Sequence, residues 1–490
     1  MAGTKHIVMP IFLLVLLFLF TSSRAEQPPF SIKQHLSTVT RYSAANDGRN
    51  SNIAPAPDGC VPIHLNLVAR HGTRDPTKKR IRELNNLESQ LDMLIRGSVG
   101  NDSSLRKVPS WFKGWKSPWR GKVKGGGLIP EGEEELYYLG IRTRKLFSDL
   151  FSDDYSSEVY TIKATQVPRA SASAVAFGMG LFSGRGSLGS DRRRAFSVIS
   201  ESRASDTMLR FFDCCQKYED YRKNQEPAVD KLKEPVLDDI TKSLTERYGL
   251  NFTRLHISSL WFLCKQEASL LNITNQACGL FSPSEVALLE WTDDVELFIL
   301  KGYGNSLNYK MGIPLLEDVV QSMKQAIKAK EEKLVLGSYE KARLRFAHAE
   351  TVVPFTCLLG LFLEGPDVGQ TLREQPLQLP PQPPATRIWK GSTVAPFAGN
   401  NMLVLYNCPA NLSDKYFVRV LHNEEPITMP GCDNSDFCSF KVFMENIVAP
   451  HLEHDFDTLC TVDGEEPVLE PESSKLSLFH WLFWLRNDNR

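Results

Sequence analysis

The feature that most constrains the fold is a strand-like apolar segment that ends abruptly in a charged one. Residues 61–69 alternate and then become continuously apolar, as a buried strand does. The next seven residues are Arg70-His71-Gly72-Thr73-Arg74-Asp75-Pro76. Ligands bind at the carboxyl ends of strands in open α/β sheets. The segment therefore predicts an α/β fold with a ligand site at this strand end.

The rest of the chain predicts an α/β body that is interrupted by helices. Further segments of this body are the helices and strands predicted at 131–151, 159–164, 171–182, 344–347, 401–406 and 416–422. Between 205 and 333 the strand patterns stop, and apolar residues such as Val236, Ile240 and Leu244 recur every four positions. We expect a mostly parallel central sheet flanked by helices, built from 58–204 and 334–460, with a helical insertion at 205–333.

Both ends of the chain differ from this body. The apolar run 11–20 follows Lys5 and precedes small residues up to Ala25, which predicts a secretory signal peptide over 1–25. Ten apolar residues are too few for a membrane anchor. Residues 26–57 predict a loosely held leader. The tail 461–490 contains the apolar run 476–485, which either packs against the body or touches a membrane surface.

Cysteines and sequons agree with a secretory route. The ten cysteines form an even number, and the short loops 264–278 and 432–438 favour the disulfides Cys264–Cys278 and Cys432–Cys438. Sequons for glycosylation stand at Asn101, Asn251, Asn272 and Asn411. We expect an extracellular protein, or one in a lumenal compartment such as the endoplasmic reticulum or a vacuole. No set of metal ligands with zinc spacing occurs in the sequence, and no cofactor is predicted.

The residues at the first strand end suit phosphoryl transfer. A neutral imidazole such as that of His71 can attack phosphorus and form a phosphohistidine. Arg70 and Arg74 can supply forked donors to one phosphate and to the charge that develops in the transition state. Gly72 lets the backbone turn tightly beside the phosphate. A surface basic cluster is the other explanation, and the fixed spacing at a strand end disfavours it.

A second segment can supply the proton that this chemistry needs. An alkoxide leaves poorly, so an alkyl phosphate requires a general acid. His348-Ala349-Glu350 follows the predicted strand 344–347 and offers a carboxyl group together with a second phosphate ligand. This tripeptide alone is weak evidence, and it gains weight from the first segment.

Arg-His-Gly-x-Arg-x-Pro followed by His-Ala-Glu resembles the histidine acid phosphatase branch of the histidine phosphatase superfamily. His-Ala-Glu in place of His-Asp is similar to the multiple inositol polyphosphate phosphatases, and the resemblance covers about 58–450. It implies the histidine phosphatase fold, with His71 as nucleophile and Glu350 as proton donor. It also implies a disulfide between Cys60 and Cys357. The residues that it implies for holding the phosphate, here called the phosphate cradle, are Arg70, Arg74, Arg169 and His348.

Basic residues near the first segment predict a polyanionic substrate. Residues 106–124 hold seven basic residues and no acidic one, and the interleaved Trp111, Trp115 and Trp119 either pack in the core or form a ligand surface. The lysines expected at the substrate periphery are Lys78, Lys79, Lys122 and Lys124. The family resemblance implies inositol polyphosphates such as phytate as substrates, and also 2,3-bisphosphoglycerate.

Other functions are less favoured. The formal net charge of −1 and the signal peptide count against nucleic acid as a partner. A broad-specificity acid phosphatase and a catalytically inactive phosphate-binding protein stay open as alternatives, and the oligomeric state is left open.

Overall fold

The computed structural model describes residues 30–47, 55–97, 106–335, 337–363, 383, 387–409, 414–433 and 435–462. The predicted signal peptide, the apolar run 476–485, Asn101 and Asn411 lie outside these residues, whereas Asn251 and Asn272 are exposed. The chain divides into two compact units, Met1–Ser31 and Ile32–Arg490. Both predicted sequence segments of the site belong to the second unit.

A seven-stranded mixed sheet forms the centre. Its strands are β1 (Val61–Arg70), β2 (Tyr160–Ala164), β3 (Ala342–Ala347), β4 (Asn400–Asn407), β5 (Tyr416–His422), β6 (Glu425–Pro426) and β7 (Phe437–Ser439). The order is β2-β3-β1-β4-β5-β6, and β7 pairs with β5. The β1–β3 and β2–β3 pairs are parallel, and the other pairs are antiparallel. The predicted α/β class is confirmed, but the sheet is mixed rather than mostly parallel, since two of its six strand pairs are parallel. The short connections after β4 favour antiparallel pairing of the later strands.

Helices surround this sheet. They are α1 (Tyr42–Ala45), α2 (Lys78–Arg96), α3 (Pro130–Leu146), α4 (Pro168–Leu181), α5 (Phe211–Cys214), α6 (Gln216–Tyr248), α7 (Arg254–Gln266), α8 (Pro283–Lys301), α9 (Leu307–Lys310), α10 (Ile313–Glu331), α11 (Ala349–Leu358), α12 (Gly391–Val394), α13 (Phe440–Val442) and α14 (Phe456–Cys460). Short helical turns of other pitch lie at Ile32–Gln34, Ser37–Val39, Ser110–Phe112, Glu267–Leu271, Ala277–Leu280, Phe443–Val448 and Ala449–His451. None of the described helices is long and apolar enough to span a membrane.

Both faces of the sheet are covered, as the side chains of β1 show. Leu65 and Leu67 pack in one core cluster with α3 and α4. Val68 points to the opposite face and packs in a second cluster with α10 and α11. Successive strand residues face opposite sides of a sheet, so a strand covered on both sides reads as the near-continuous apolar run seen in the sequence.

The predicted insertion is helical. Helices α5 to α10 occupy it, and the described residues between 205 and 333 contain no strand. Ile240 and Leu244 of α6 pack with Leu260 of α7 in a cluster that the insertion shares with Leu84 and Leu87 of α2. Its helix α8 begins with the capping serine Ser282, whose hydroxyl accepts from the backbone N–H of Glu285.

Two predicted disulfides are confirmed and one is wrong. Cys264–Cys278 and Cys432–Cys438 are present. Cys60 pairs with Cys408 instead of Cys357, because β1 and β4 are antiparallel and the register places Val61 opposite Asn407. Cys357 is a free thiol buried in α11. A fourth bridge, Cys215–Cys460, ties α6 to α14. Four disulfides are typical of proteins from an oxidising compartment.

The segment 32–45 differs from the loosely held leader that we expected. Leu36, Thr40 and Tyr42 are buried in the body. Ser37 donates a hydrogen bond of 2.7 Å to Asp294 of α8. The polar composition of this segment reflects hydrogen bonds to the body rather than exposure to solvent.

Candidate active site

The parallel part of the sheet brings the two predicted segments together. β1 and β3 run side by side with Arg70 opposite Ala347, so His71 and His348 leave the same edge. The backbone N–H of His71 donates to the carbonyl of Ala347 at 3.0 Å, and the two imidazole rings are 5.5 Å apart at their centroids. Helix α4 begins after β2 at this edge and carries Arg169. The expected cradle therefore converges at one place.

His71 is held in a single tautomer. Its Nδ1 lies 2.9 Å from the carbonyl oxygen of Gly72, and because a carbonyl can only accept, Nδ1 carries the proton. The lone pair is then on Nε2. Burial lowers the pKa of His71 well below its usual value, and the neighbouring charge of Arg70 lowers it further. His71 is therefore a neutral imidazole.

Gly72 has a different role from the one that we expected. A Cβ atom on Gly72 would lie 2.1 Å from the carbonyl oxygen of Gly132 in α3, and one on Gly132 would lie 2.1 Å from the carbonyl oxygen of Thr73. The backbone of the first segment thus lies directly against a helix. The N–H of Gly72 donates to Ser173 of α4 at 3.1 Å. Gly72 is required by this close approach of backbones rather than by a tight turn beside a phosphate.

Three arginines crowd the space in front of His71. Arg70 donates to the carbonyls of Thr38 and Ala395 at 2.5 and 2.7 Å, and its guanidinium lies 4.4 Å from the Phe397 ring centre. Burial and the charge of Arg74 lower the pKa of Arg70 to about 9, and burial together with Arg74 lowers that of Arg169 to about 10. A bound anion would relieve this repulsion.

Several donors of these arginines face no acceptor. The buried Nε groups of Arg70, Arg74 and Arg169 have no hydrogen-bond partner within the described part of the chain. Buried polar groups normally have partners. A guanidinium cluster with spare donors around a neutral imidazole suits an oxyanion with several oxygens, such as a phosphate.

Arg210 is a fourth arginine at the site, and sequence reasoning missed it. Its Nη1 lies 3.1 Å from Nε2 of His348. Oγ1 of Thr165 lies 2.9 Å from the same nitrogen. Arg169 Nη2 lies 3.4 Å from Nδ1 of the same ring. A neutral imidazole has one lone pair, so only one of the two guanidiniums can donate to it. Burial, with the charge of Arg169, lowers the pKa of His348 to about 3.

Glu350, the expected proton donor, is paired with a lysine. It is the second residue of α11, and its Oε1 accepts a hydrogen bond of 2.8 Å from Nζ of Lys301, the last residue of α8. Burial by itself would raise the pKa of Glu350, but the charge and the hydrogen bond of Lys301 outweigh it and hold the pKa well below the usual value. No pattern in the sequence indicated Lys301, because it lies 49 residues before Glu350 in the insertion.

The pocket in front of His71 reaches the insertion, and its cations differ from the predicted ones. It has a volume of about 440 Å³, within the range of small-molecule sites. The cations that line it outside the cradle are Arg80, Lys265 and Lys301, and the acidic residues that line it besides Glu350 are Asp293 and Glu296.

The expected peripheral lysines do not line this pocket. The described side chains of Lys78, Lys79, Lys122 and Lys124 are all exposed, and Lys122 pairs with Asp75 at 3.0 Å. Trp115 and Trp119 are buried in the cluster that α2 shares with the insertion, which confirms the packing explanation for them. The described residues contain no group of three side chains that could hold a metal ion.

Curated relatives match most of the chain. A chicken (Gallus gallus) protein named multiple inositol polyphosphate phosphatase 1 is 26% identical over 434 residues, which is 84% of this chain and 90% of that one. The human (Homo sapiens) protein of the same name is 26% identical, with coverage of 85% and 86%. A thiamine-repressible acid phosphatase of Schizosaccharomyces pombe is 25% identical, with coverage of 82% and 83%.

Solved structures share the fold. The phytase from D. castellii has a TM-score of 0.66 at 18% identity and covers 96% of this chain and 95% of its own. The multiple inositol polyphosphate phosphatase of Bifidobacterium longum, in complex with inositol hexasulfate, has a TM-score of 0.61 at 18% identity, with coverage of 85% and 98%. The predicted histidine phosphatase fold is confirmed.

A family model matches the chain from within β1, through the insertion, to the end of β5. The model of the histidine phosphatase superfamily (branch 2) matches residues 63–423. This range contains every residue of the cradle together with His71 and Glu350. The chain therefore belongs to the histidine phosphatase superfamily, branch 2.

Proposed function

We propose that this protein hydrolyses inositol polyphosphates such as phytate through a phosphohistidine at His71. Phosphoric monoester hydrolysis follows from the family. The observation that carries the proposal is the convergence of a neutral His71, four guanidiniums and one carboxyl group at one sheet edge. Curated relatives named multiple inositol polyphosphate phosphatase 1 support the substrate class.

In the first step, Nε2 of His71 attacks phosphorus while the bond from phosphorus to the ester oxygen breaks. Arg70, Arg74 and Arg169 hold the non-bridging oxygens and stabilise the charge that develops on them. Glu350 in its acid form gives its proton to the leaving oxygen, because an alkoxide is a poor leaving group. The products of this step are the dephosphorylated hydroxyl and a phosphohistidine.

In the second step, water attacks the phosphohistidine. Glu350, now a carboxylate, takes a proton from this water as the new phosphorus–oxygen bond forms and the phosphorus–nitrogen bond breaks. Inorganic phosphate leaves, and both side chains return to their initial protonation states. No metal ion enters this scheme.

A broad acid phosphatase is the second candidate. Asp293 and Glu296 on the pocket wall reduce the positive charge that a polyanion would meet, and this observation favours substrates with a single phosphate. A relative named as an acid phosphatase agrees with this alternative. Rates on phytate and on monophosphates distinguish the two candidates.

We place the protein in the secretory pathway, either outside the cell or in a lumenal compartment. The four disulfides and the predicted signal peptide support this location. Glycosylation at the exposed Asn251 and Asn272 is an associated proposal. Mass spectrometry of the secreted protein before and after enzymatic removal of N-glycans tests it.

The central experiment follows phosphate release from phytate over time. We expect stepwise loss of phosphate from the wild-type protein and none from His71→Ala. Rapid acid-free quenching with labelled substrate should trap phosphohistidine on the wild-type chain. A His71→Ala protein that still turns over phytate contradicts the proposed nucleophile.

Glu350→Gln tests the proton donor. We expect hydrolysis of alkyl phosphates to slow by roughly 10²- to 10⁴-fold, because the leaving oxygen no longer receives a proton. p-Nitrophenyl phosphate, whose leaving group needs little protonation, should be slowed far less in the first step. An equal loss of rate on alkyl phosphates and on p-nitrophenyl phosphate would show that Glu350 is not the proton donor.

A further inference from the structure

Lys301 occupies an unusual place for a cation in this pocket. Its Nζ donates to Oε1 of Glu350 at 2.8 Å, and the two side chains are 26% and 32% exposed. Both line the same pocket as His71. Lys301 is therefore hydrogen-bonded to Glu350, the group that the proposed mechanism needs as an acid. Because both side chains are partly exposed in the pocket, an incoming ligand can reach this ion pair.

This ion pair opposes the first catalytic step. Glu350 has to carry a proton to assist an alkyl leaving group, but a carboxylate bonded to an ammonium group resists protonation. The other charged or titratable groups that act on Glu350 are Arg70 at the end of β1, Arg74 after it, Arg169 of α4, Tyr218 and Arg222 of α6, and His348 nearby. Within the described ranges, Lys301 is the one that forms an ion pair with Glu350.

We propose that Lys301 changes partner when a polyphosphorylated substrate binds. In the free enzyme it holds Glu350 as a carboxylate. A phosphate next to the one that reacts at His71 draws Nζ away, and Glu350 then takes a proton from solvent and delivers it to the leaving oxygen. Lys301 thereby couples the proton donor to substrates with more than one phosphate. This inference rests on the proposed function and names Lys301 as a positioning and specificity-determining residue.

The surroundings of Lys301 permit this exchange, whereas those of the neighbouring Lys265 do not. Lys301 ends α8, and the side chain of Glu350 is the hydrogen-bond acceptor of its Nζ among the described residues. Lys265 is 12% exposed, bonds Asp293 at 2.6 Å and lies 5.4 Å from the centre of the Trp261 ring. A lysine is a flexible point charge with three donors, so it can move between acceptors without losing its hydrogen bonds.

The consequence is a difference between classes of substrate. A substrate with one phosphate uses the cradle but offers Lys301 no second phosphate, so Glu350 stays paired and mostly ionised. A polyphosphate breaks the Lys301–Glu350 ion pair as it binds. Wild-type enzyme should therefore prefer polyphosphates through the chemical step as well as through affinity.

The test measures kcat/KM against pH for wild type, Lys301→Met and Lys301→Arg. The substrates are inositol hexakisphosphate, glycerol 2-phosphate and p-nitrophenyl phosphate. Removing a positive neighbour raises the pKa of Glu350, so the acid form persists to higher pH. With glycerol 2-phosphate as substrate, we expect the alkaline limb of the pH profile of kcat/KM to lie roughly 1 to 3 pH units higher in Lys301→Met than in wild type. Substrate ionisation is the same for all variants and cancels in this comparison.

Further readouts separate this role from a merely structural one. The preference for inositol hexakisphosphate over glycerol 2-phosphate should fall by about 10-fold or more in Lys301→Met, since one pKa unit corresponds to a tenfold change in population. The limb on p-nitrophenyl phosphate should stay in place. Lys301→Arg keeps the charge and should keep the wild-type limb. Lys265→Met, the matched control, removes a pocket cation that is bonded to Asp293 and should also leave the limb unmoved.

Two results overturn the inference. One is an alkaline limb on glycerol 2-phosphate that does not move in Lys301→Met or in a second neutral variant, Lys301→Gln. The other is an equal loss on all three substrates. If wild-type enzyme releases no phosphate from any of them, the proposed function fails and this inference fails with it. Melting temperatures confirm that each variant is folded.

Discussion

At the residue scale, the site combines many donors with two histidines that stay neutral. Burial lowers the pKa of both His71 and His348, so neither ring adds charge to the arginine cluster. For His71 neutrality keeps the nucleophilic lone pair available. The neutral ring of His348 has a proton on one nitrogen and a lone pair on the other. Which nitrogen carries the proton depends on which guanidinium donates to the ring. The nearer of the two guanidiniums is that of Arg210, at 3.1 Å from Nε2, compared with 3.4 Å from Nδ1 for Arg169.

We expect Arg210→Met to lower kcat by up to about 100-fold, because His348 loses the nearer of its two guanidinium neighbours. Inorganic phosphate should also inhibit the variant less strongly, since a misoriented imidazole binds the anion poorly. Steady-state kinetics and the inhibition constant for phosphate measure both effects. Arg210→Lys should restore part of the phosphate inhibition. A variant with wild-type kcat and phosphate inhibition would show that His348 needs no such support.

At the element scale, the site depends on how closely α3 approaches the chain that follows β1. A Cβ atom on Gly132 would overlap the carbonyl oxygen of Thr73 at 2.1 Å, and backbone atoms cannot move aside as a flexible side chain can. The helix and the segment that carries His71 are thus in direct backbone contact.

Gly132→Ala should therefore destabilise the protein by about 1 to 3 kcal/mol or more, through overpacking. It should also lower activity, because α3 pushes against the segment that carries His71. Gly127→Ala is the matched control, since a Cβ atom there has no neighbour within 4 Å. Chemical denaturation measures the free energy of unfolding of each variant. Equal stability of the two variants would mean that α3 can shift at little cost.

The disulfide between the ends of β1 and β4 gives a second prediction at this scale. Cys60→Ser breaks a bridge that closes 348 residues, and the loss of a native disulfide typically costs about 2 to 5 kcal/mol. Cys357→Ser leaves every bridge intact and should cost less, although Cys357 is buried. Thermal unfolding compares the two variants, and peptide mapping without reduction identifies the bridges. A Cys60–Cys357 peptide would contradict the pairing described here.

Local patterns predicted most elements and the two segments of the site, but not the contacts between distant ones. The strand before His71 and the helical insertion were readable because apolar periodicity is a local property. The partner of Cys60 depends on the register of β1 with β4, and the positions of Arg210 and Lys301 depend on how the insertion folds back over the sheet. Lys122 shows the opposite kind of error. It was predicted to lie at the substrate periphery because it belongs to a basic segment near the first segment of the site, but it pairs with Asp75 on the surface.

At the scale of the whole molecule, buried groups respond to acid in opposite directions. Burial lowers the pKa of His64 to about 4 and raises the pKa of Asp294 and of Glu267 to about 7. Between pH 6.5 and 4 the unfolded chain binds more protons at His64 than the folded one, so acid destabilises the protein there. At the two carboxyl groups the folded chain binds more protons, so acid stabilises the protein. These contributions partly cancel.

His64→Gln removes one of these contributions and makes it measurable. Wild type should lose stability relative to His64→Gln as pH falls from 6.5 to 4, by roughly 3 kcal/mol at most. His64 contacts Ser322 and the carbonyl of Glu340, which a glutamine amide can also bond. Denaturation curves at several pH values give the difference. A constant difference across this range would mean that His64 does not titrate as described.

The bonds that hold Arg70 have a consequence for biosynthesis. Arg70 is fixed by Thr38 and by Ala395, the latter 325 residues further along the chain, and its strand β1 lies between the late strands β3 and β4. Ribosomes add about 5 to 20 residues per second. The apolar β1 segment is therefore synthesised early and remains for roughly 15 to 55 s without either neighbouring strand. We expect chaperones to shield it during that time, so the yield of active enzyme should depend on chaperone supply and on the speed of elongation.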